Sequence, residues 1–300
     1  MWRSLGVAPV ERWFDLQRTG SAVRVQELGE GPPVIFVHGG SISGTCWAPL
    51  VARLPDFRCI VLDRPGCGLS RPLSRPFENA SALGAFADAL VIDLLDAMGL
   101  ERADVCATSF GGYMALRSAA AHPERIRRMV LFGFSIGAPV GRTPLAMRLA
   151  TAPGIGRLFA RAPVNERTAR MILRNIGLRE AINAGRVSQE GIEWFVSLLR
   201  DTDTLRNEMR TIPPLVSMFG GMNESLRLPG SLLGKISTPV HFLWGEADLY
   251  GGPDIARAFV RQIPRAELEL LPGVGHAPWM DDPNHAEAVT REFLQRPEPS

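Results

Sequence analysis

One stretch limits what this chain can become more than any other: Ala103-Asp104-Val105-Cys106-Ala107-Thr108-Ser109-Phe110-Gly111-Gly112. A short apolar run ends at a serine, two glycines follow at once, and a helical pattern starts behind them at Tyr113-Met114-Ala115-Leu116. This order reads as a strand, a sharp turn and a helix with Ser109 at the apex. Such a turn strains the serine backbone and needs small neighbours two residues away on each side, here Ala107 and Gly111. It would lift the hydroxyl out of the sheet and set the N–H of Phe110 at the positive end of a helix. A nucleophile beside half an oxyanion hole needs those features. A plain strand-to-helix turn with a capping serine fits the same letters, so the stretch does not decide alone.

The rest of the chain supplies a matching frame. Glu11–Arg18 and Ala22–Leu28 alternate apolar and polar residues around the turn Thr19-Gly20-Ser21, as two paired strands do. Pro33–Val37 is a continuous apolar run with β-branched residues and Arg58–Leu62 carries another, as expected of strands buried on both faces. Ala48–Leu54 is helical in pattern. From Ala80 to Met98, Leu83, Phe86, Leu90, Leu94 and Met98 recur at steps of three and four, the pattern of an amphipathic helix stopped at Gly99. Arg125–Phe132, Pro239–Trp244 and Glu267–Leu271 read as further strands; Asp254–Ile263 and Asn284–Leu294 read as helices. Strands alternating with helices predict an α/β fold around a mainly parallel central sheet, with chemistry at the carboxyl ends of the strands. The alternation stops between about Gly137 and Leu233. That region reads as helical segments punctuated by glycine and proline, the last interrupted at Pro213-Pro214, without strand alternation. Two parts are therefore expected: residues 1–136 with 234–300 as the core, and 137–233 as a helical cap inserted after the sixth strand and lying over the rim.

Composition excludes some functions. A net charge of +2 over 300 residues gives no general field for nucleic acid or an acidic membrane. No apolar run reaches the ~18 residues that span a bilayer, and the N-terminus lacks the apolar core of a secretion signal. The four cysteines stand apart, without metal-ligand spacing, which suits buried thiols in a reducing, cytoplasmic setting. Neither metal nor organic cofactor is implied. The expected partner is a small molecule, and the chain is expected to act as a monomer or homodimer.

Ser109, Asp248 and His276 each fall just past a predicted strand, in that order. A hydroxyl needs an adjacent base to attack at neutral pH, histidine can take and return the proton, and a carboxylate fixes the imidazole. With His38-Gly39-Gly40, Asp63-Arg64-Pro65-Gly66-Cys67-Gly68-Leu69-Ser70, Thr108-Ser109-Phe110-Gly111-Gly112, Gly245-Glu246-Ala247-Asp248 and Gly275-His276, the chain resembles the α/β-hydrolase superfamily, in its capped serine hydrolase branch. The resemblance implies Ser109 as nucleophile, His276 as base, Asp248 as orienting acid, and the N–H groups of Gly40 and Phe110 as oxyanion hole. Ala107 stands where the family usually has glycine. Ser41, Phe134, Trp194, Met218, Leu249 and Ala277 are the expected substrate contacts. His38, Asp63, His122, His241 and His285 read as structural or solvent-facing, with Asp63 suited to a turn or a local salt bridge beside Arg64.

A carboxylic ester is the substrate this pattern suggests first, and the bare Gly40 suggests an open floor that tolerates bulky or branched esters. Lactonase, C–C hydrolase and prolyl iminopeptidase are alternatives, as is a non-catalytic binder on the same fold. C–C hydrolases of the superfamily commonly place an aromatic after the histidine, where Ala277 stands; the iminopeptidase pattern H-G-G-P-G is absent too. Epoxide hydrolases and haloalkane dehalogenases carry aspartate at the elbow, not serine.

Overall fold

The computed structural model describes residues 1–141, 143–152, 154–155 and 164–297. Its strands are β1 (Val10–Leu16), β2 (Ser21–Leu28), β3 (Pro33–Val37), β4 (Arg58–Leu62), β5 (Ala103–Thr108), β6 (Ile126–Ser135), the short pair β7 (Val216–Ser217) and β8 (Gly221–Met222), then β9 (Val240–Gly245) and β10 (Ala266–Leu271). All but β7 and β8 form one sheet of eight strands in the order β1-β2-β4-β3-β5-β6-β9-β10. From β4 to β10 every pairing is parallel, and only β1 with β2 and β2 with β4 run antiparallel. The expected mainly parallel sheet is therefore observed.

The continuous apolar strands follow from burial on both sides. Along β3, Ile35 and Val37 enter one core layer, while Val34 and Phe36 enter the other. The first layer is closed by α2 (Ala80–Ala97) and α3 (Ser109–Ala121). In α2, Leu83, Leu90 and Leu94 are fully buried, each such side chain contributing roughly 2 kcal/mol. Asn79 accepts the N–H of Ala82 and caps the start of that helix (2.9 Å). The second layer is closed by α1 (Ala48–Val51) and, at the end of the chain, by the helix Pro283–Gln295.

Between β6 and β9 lie α4 (Leu145–Ala150), α5 (Glu166–Leu173), α6 (Arg179–Asn183), α7 (Gln189–Asp201), α8 (Thr204–Leu215) and α9 (Gly230–Leu233), with a π-turn at Arg174–Leu178. After these come α10 (Pro253–Val260), α11 (Pro278–Asp281) and α12 (Pro283–Gln295). Two local expectations fail here. The helix of residues 204–215 includes both prolines and ends one residue after them, at Leu215: a proline lacks the N–H that would bond back along the helix, so the pair stops the helix and does not divide it. Beyond it the chain forms the β7–β8 hairpin, a strand pair too short to show alternation. Phe219 sits at its turn and is 87% exposed, so it is no part of a core. Nor do the inserted helices keep a core of their own: Phe195 and Leu198 of α7 join the layer that holds Trp47.

All four cysteines are buried and unpaired. Burial pushes the Cys59 thiol up to about 12 and those of Cys46, Cys67 and Cys106 well above the ordinary range. The native protein should therefore be silent towards a chromogenic disulfide reagent at pH 8 and release four equivalents once unfolded in guanidinium. Fast labelling of the native state would contradict this packing.

Candidate active site

Ser109 opens α3 directly after β5 and holds φ 53°, a left-handed conformation rare for a residue with a side chain. Its neighbourhood leaves no other path. β5 is paired on both sides, with β3 and with β6, and the Ser109 carbonyl accepts the N–H of Ile136 (3.2 Å). Gly111 lies against the backbone carbonyls of Val37 and His38, where a methyl group would collide with main chain. Ala107 is fully buried and its methyl is accommodated in the first core layer, so alanine fits at this position of the turn.

Asp248 follows β9 and His276 follows β10, two strands that lie side by side. His276 Nδ1 donates to Asp248 Oδ2 at 2.7 Å. The N–H of Phe134 donates to the same oxygen (2.8 Å), and that of Tyr250 donates to Oδ1 (3.0 Å). A carboxylate only accepts, so Nδ1 carries the proton and Nε2 is left free as a base. The Tyr250 ring meets the imidazole edge-on at 4.8 Å; burial, then the Asp248 charge, pushes its hydroxyl pKa up. The N–H of His276 donates to the carbonyl of Gly177 in the inserted π-turn (3.1 Å). Gly177 has φ 105°, and a Cβ there would strike the His276 side chain. Asp281 does not reach the imidazole: it accepts the N–H of Gly275 (3.0 Å) and pairs with Arg186 (2.7 Å), fixing the loop before the histidine.

Ser109 and His276 line one cavity of about 90 Å³, together with Gly40, Ser41, Phe110 and Phe134. The inserted segment closes it with Ile176, Leu178, Glu208 and Met222. Of the expected substrate contacts, Ser41 and Phe134 are on this wall and the other four are not. Trp194 lines a neighbouring cavity of about 200 Å³. Met218 is in the hairpin turn, its carbonyl accepting from Arg148 (2.8 Å). Leu249 packs on the first core layer, and its neighbour Tyr250 faces the site instead. Ala277 is fully buried in the second layer, and Trp279, two residues on, reaches the cavity. After a strand ends the chain turns, and sequence offers no period to say which neighbour points inward. The floor above Gly40 is not open either, because the Glu208 carboxylate lies over it.

Under the site lies a buried polar cluster. His38 Nε2 accepts the N–H of Arg64 (2.9 Å), and the Arg64 guanidinium donates to the carbonyls of His38 (3.0 Å) and Gly39 (2.7 Å) and to Glu208 (3.2 Å). Asp63 pairs with Arg24 (3.0 Å), not with Arg64. Both His38 and Asp63 thus have structural settings. His241 lies near Glu267, and His285 bonds Glu269 (2.6 Å). Glu208 was not singled out from sequence. The available signal is that it shares the buried face of α8 with Thr204 and Leu215, an inward position for a charge. Among the described residues no group of three or more His, Cys, Asp or Glu is placed to hold a metal ion, and no helix is long and apolar enough to cross a membrane.

Residues 34–289 match the model of the alpha/beta hydrolase family. This chain belongs to that family. Among its relatives, a protein of Cupriavidus pinatubonensis described as a 2-hydroxy-6-oxononadienedioate/2-hydroxy-6-oxononatrienedioate hydrolase is 28% identical, covering 90% of this chain and 88% of the relative. One from Burkholderia vietnamiensis with the same description is 27% identical over 95% and 96%. In fold, the chain is similar to 2-hydroxy-6-oxo-6-phenylhexa-2,4-dienoate hydrolase from Rhodococcus (TM-score 0.78, 22% identity, 97% of this chain and 100% of the other). It is also similar to carboxylesterase CesB from Bacillus subtilis (TM-score 0.69, 18% identity, 98% and 94%). The alpha/beta-hydrolase fold is thereby established, and hydrolase activity is the family's common ground.

For this hydrolase two variants probe the site's support. Gly177→Ala should displace the His276 ring and lower kcat at least tenfold, read in steady-state kinetics beside an unchanged circular dichroism spectrum; full activity would mean the π-turn does not position the histidine. The second concerns pH. Burial first, then the Arg64 charge, holds the His38 pKa well below its usual value. The unfolded chain then binds a proton below about pH 6.5 that the folded one refuses. Stability is therefore full above that pH and falls as pH drops towards the folded pKa, by up to about 1.4 kcal/mol per unit. Urea midpoints between pH 7.5 and 5 should show this slope in the wild type and a shallower one in His38→Gln.

Proposed function

We propose that this chain is a serine hydrolase that cleaves carboxylic esters of small, mostly apolar acids through an acyl-enzyme on Ser109. The observation that carries the reading is the 2.7 Å hydrogen bond from His276 to Asp248, beside a cavity that also holds Ser109. His276 Nε2 takes the Ser109 proton as Oγ attacks the carbonyl carbon. The N–H groups of Phe110 and Gly40 receive the oxyanion, and losing one such donor typically costs about 3 kcal/mol in barrier. His276 then gives the proton to the departing alcohol and later activates water against the acyl-enzyme, while Asp248 stabilises the imidazolium.

The cavity argues for a small acid. At about 90 Å³ it is well below the roughly 300 Å³ at which drug-sized pockets begin, and its wall is largely aliphatic and aromatic. Ala277 adds no aromatic ring beside the histidine. The second reading is hydrolysis of a C–C bond next to a ketone, and the descriptions of the relatives favour it. The same nucleophile and base serve both, since each reaction passes through an addition to a carbonyl carbon.

A fluorophosphonate should label the wild type and spare Ser109→Ala; equal labelling would remove Ser109 from the mechanism. On a panel of p-nitrophenyl esters, kcat/KM should peak at short unbranched acids and fall at least tenfold by the eight-carbon acid. A 2-hydroxy-6-oxo-dienoate assayed alongside decides between the readings: faster turnover of that ketone than of any ester would make the chain a C–C hydrolase.

A further inference from the structure

Glu208 has no task in the reaction just described, yet its side chain lies in the wall beside Gly40 and Ser109. It is the one charged side chain on that wall among the described residues. The residue is only 6% exposed, so its carboxylate has been taken out of bulk water. Its donors are identifiable. Oε1 accepts from the Arg64 guanidinium (3.2 Å) and from the Cys67 thiol (3.3 Å), and Oε2 accepts from the N–H of Ser41 (2.9 Å). A carboxylate offers about four lone-pair directions. Three are taken, and the one that remains is on Oε2. That oxygen overhangs the oxyanion loop: a Cβ built on Gly40 would lie 3.2 Å from it and, its chain neighbours aside, within 4 Å of nothing else among the described residues. A substrate whose carbonyl oxygen sits on the Gly40 N–H is therefore brought to the same part of the cavity wall as Oε2.

We infer that Glu208 is a specificity residue that selects acids carrying a hydrogen-bond donor, such as a hydroxyl, close to the scissile carbonyl and rejects acids carrying a second carboxylate. This inference rests on the serine hydrolase reading and narrows its substrate class. The physical reason is one-sided chemistry. An ionised carboxylate can only accept, so a donor on the substrate fills the last lone pair, a methyl leaves it empty, and an anion meets like charge in a cavity with little water to screen it. Arg64 offsets that repulsion only in part, because it pairs with Oε1 while Oε2 is the oxygen that faces Gly40.

The test compares three methyl esters of similar length: 3-hydroxypropanoate, butanoate, and the half-ester of succinate with its free carboxylate. In the wild type, kcat/KM should fall in that order, with the hydroxy ester about tenfold or more above butanoate, in keeping with a hydrogen bond to a charged group, and the half-ester well below both. In Glu208→Gln the ratio of half-ester to butanoate should rise about tenfold, and the hydroxyl preference should shrink. Equal kcat/KM for the three esters in the wild type would overturn the role of Glu208 even if the variant failed to fold. Unchanged ratios in a folded variant would overturn it too. Failure to cleave any of the three, together with no labelling by fluorophosphonate, would instead overturn the hydrolase reading beneath it.

Discussion

Everything at the rim of this sheet depends on how closely α3 approaches β3. Gly111 rests against the Val37 and His38 carbonyls, and that contact turns the chain so sharply that Ser109 must take a positive φ. A residue with a side chain held there costs of order 1–3 kcal/mol. Strand pairing on both flanks of β5 holds it in place, since relaxing Ser109 would break the register with β3 and β6. The elbow is thus less a property of its own residues than of the parallel sheet around it. The same sheet places Asp248 and His276 at adjacent strand ends, close enough for a 2.7 Å hydrogen bond.

A second layer of support is electrostatic. Arg64, only 3% exposed, ties the loop of His38 and Gly39 to Glu208 on the inserted helix α8. Removing one partner of such a buried pair typically costs 3–5 kcal/mol, roughly, because the other charge is left without compensation. Together with the Gly177 carbonyl on the His276 N–H, this gives the inserted segment two anchors, one on the histidine loop and one on the loop of Gly39. The segment closes the cavity and also fixes the backbone that carries His276 and the loop of His38 and Gly39. Its apolar side chains share the core layers of the sheet, so its position is coupled to theirs.

Much of this was legible in the order of residues. The apolar run into Ser109 and the two glycines after it specify the elbow, because only small residues fit where helix and strand backbones nearly touch. The strands were readable since burial on both faces demands continuous apolar runs, and a strand end followed by Asp248 or His276 marks the rim in an α/β sheet. These are local constraints, written within a few residues of where they act. The side chains that shape the cavity were not legible in the same way. Trp194, Met218, Leu249 and Ala277 have the right chemistry for a pocket wall, and the structure turns each elsewhere. Tyr250, Trp279 and Glu208 line the cavity because of where loops and an inserted helix pack. Sequence determined the fold class and the identity of the nucleophile, base and acid candidates, because periodicity and backbone sterics act over short distances. Tertiary structure alone decided what surrounds them. Glu208 and Gly40 lie far apart in the chain, and only the docking of α8 on the rim places a carboxylate over that glycine.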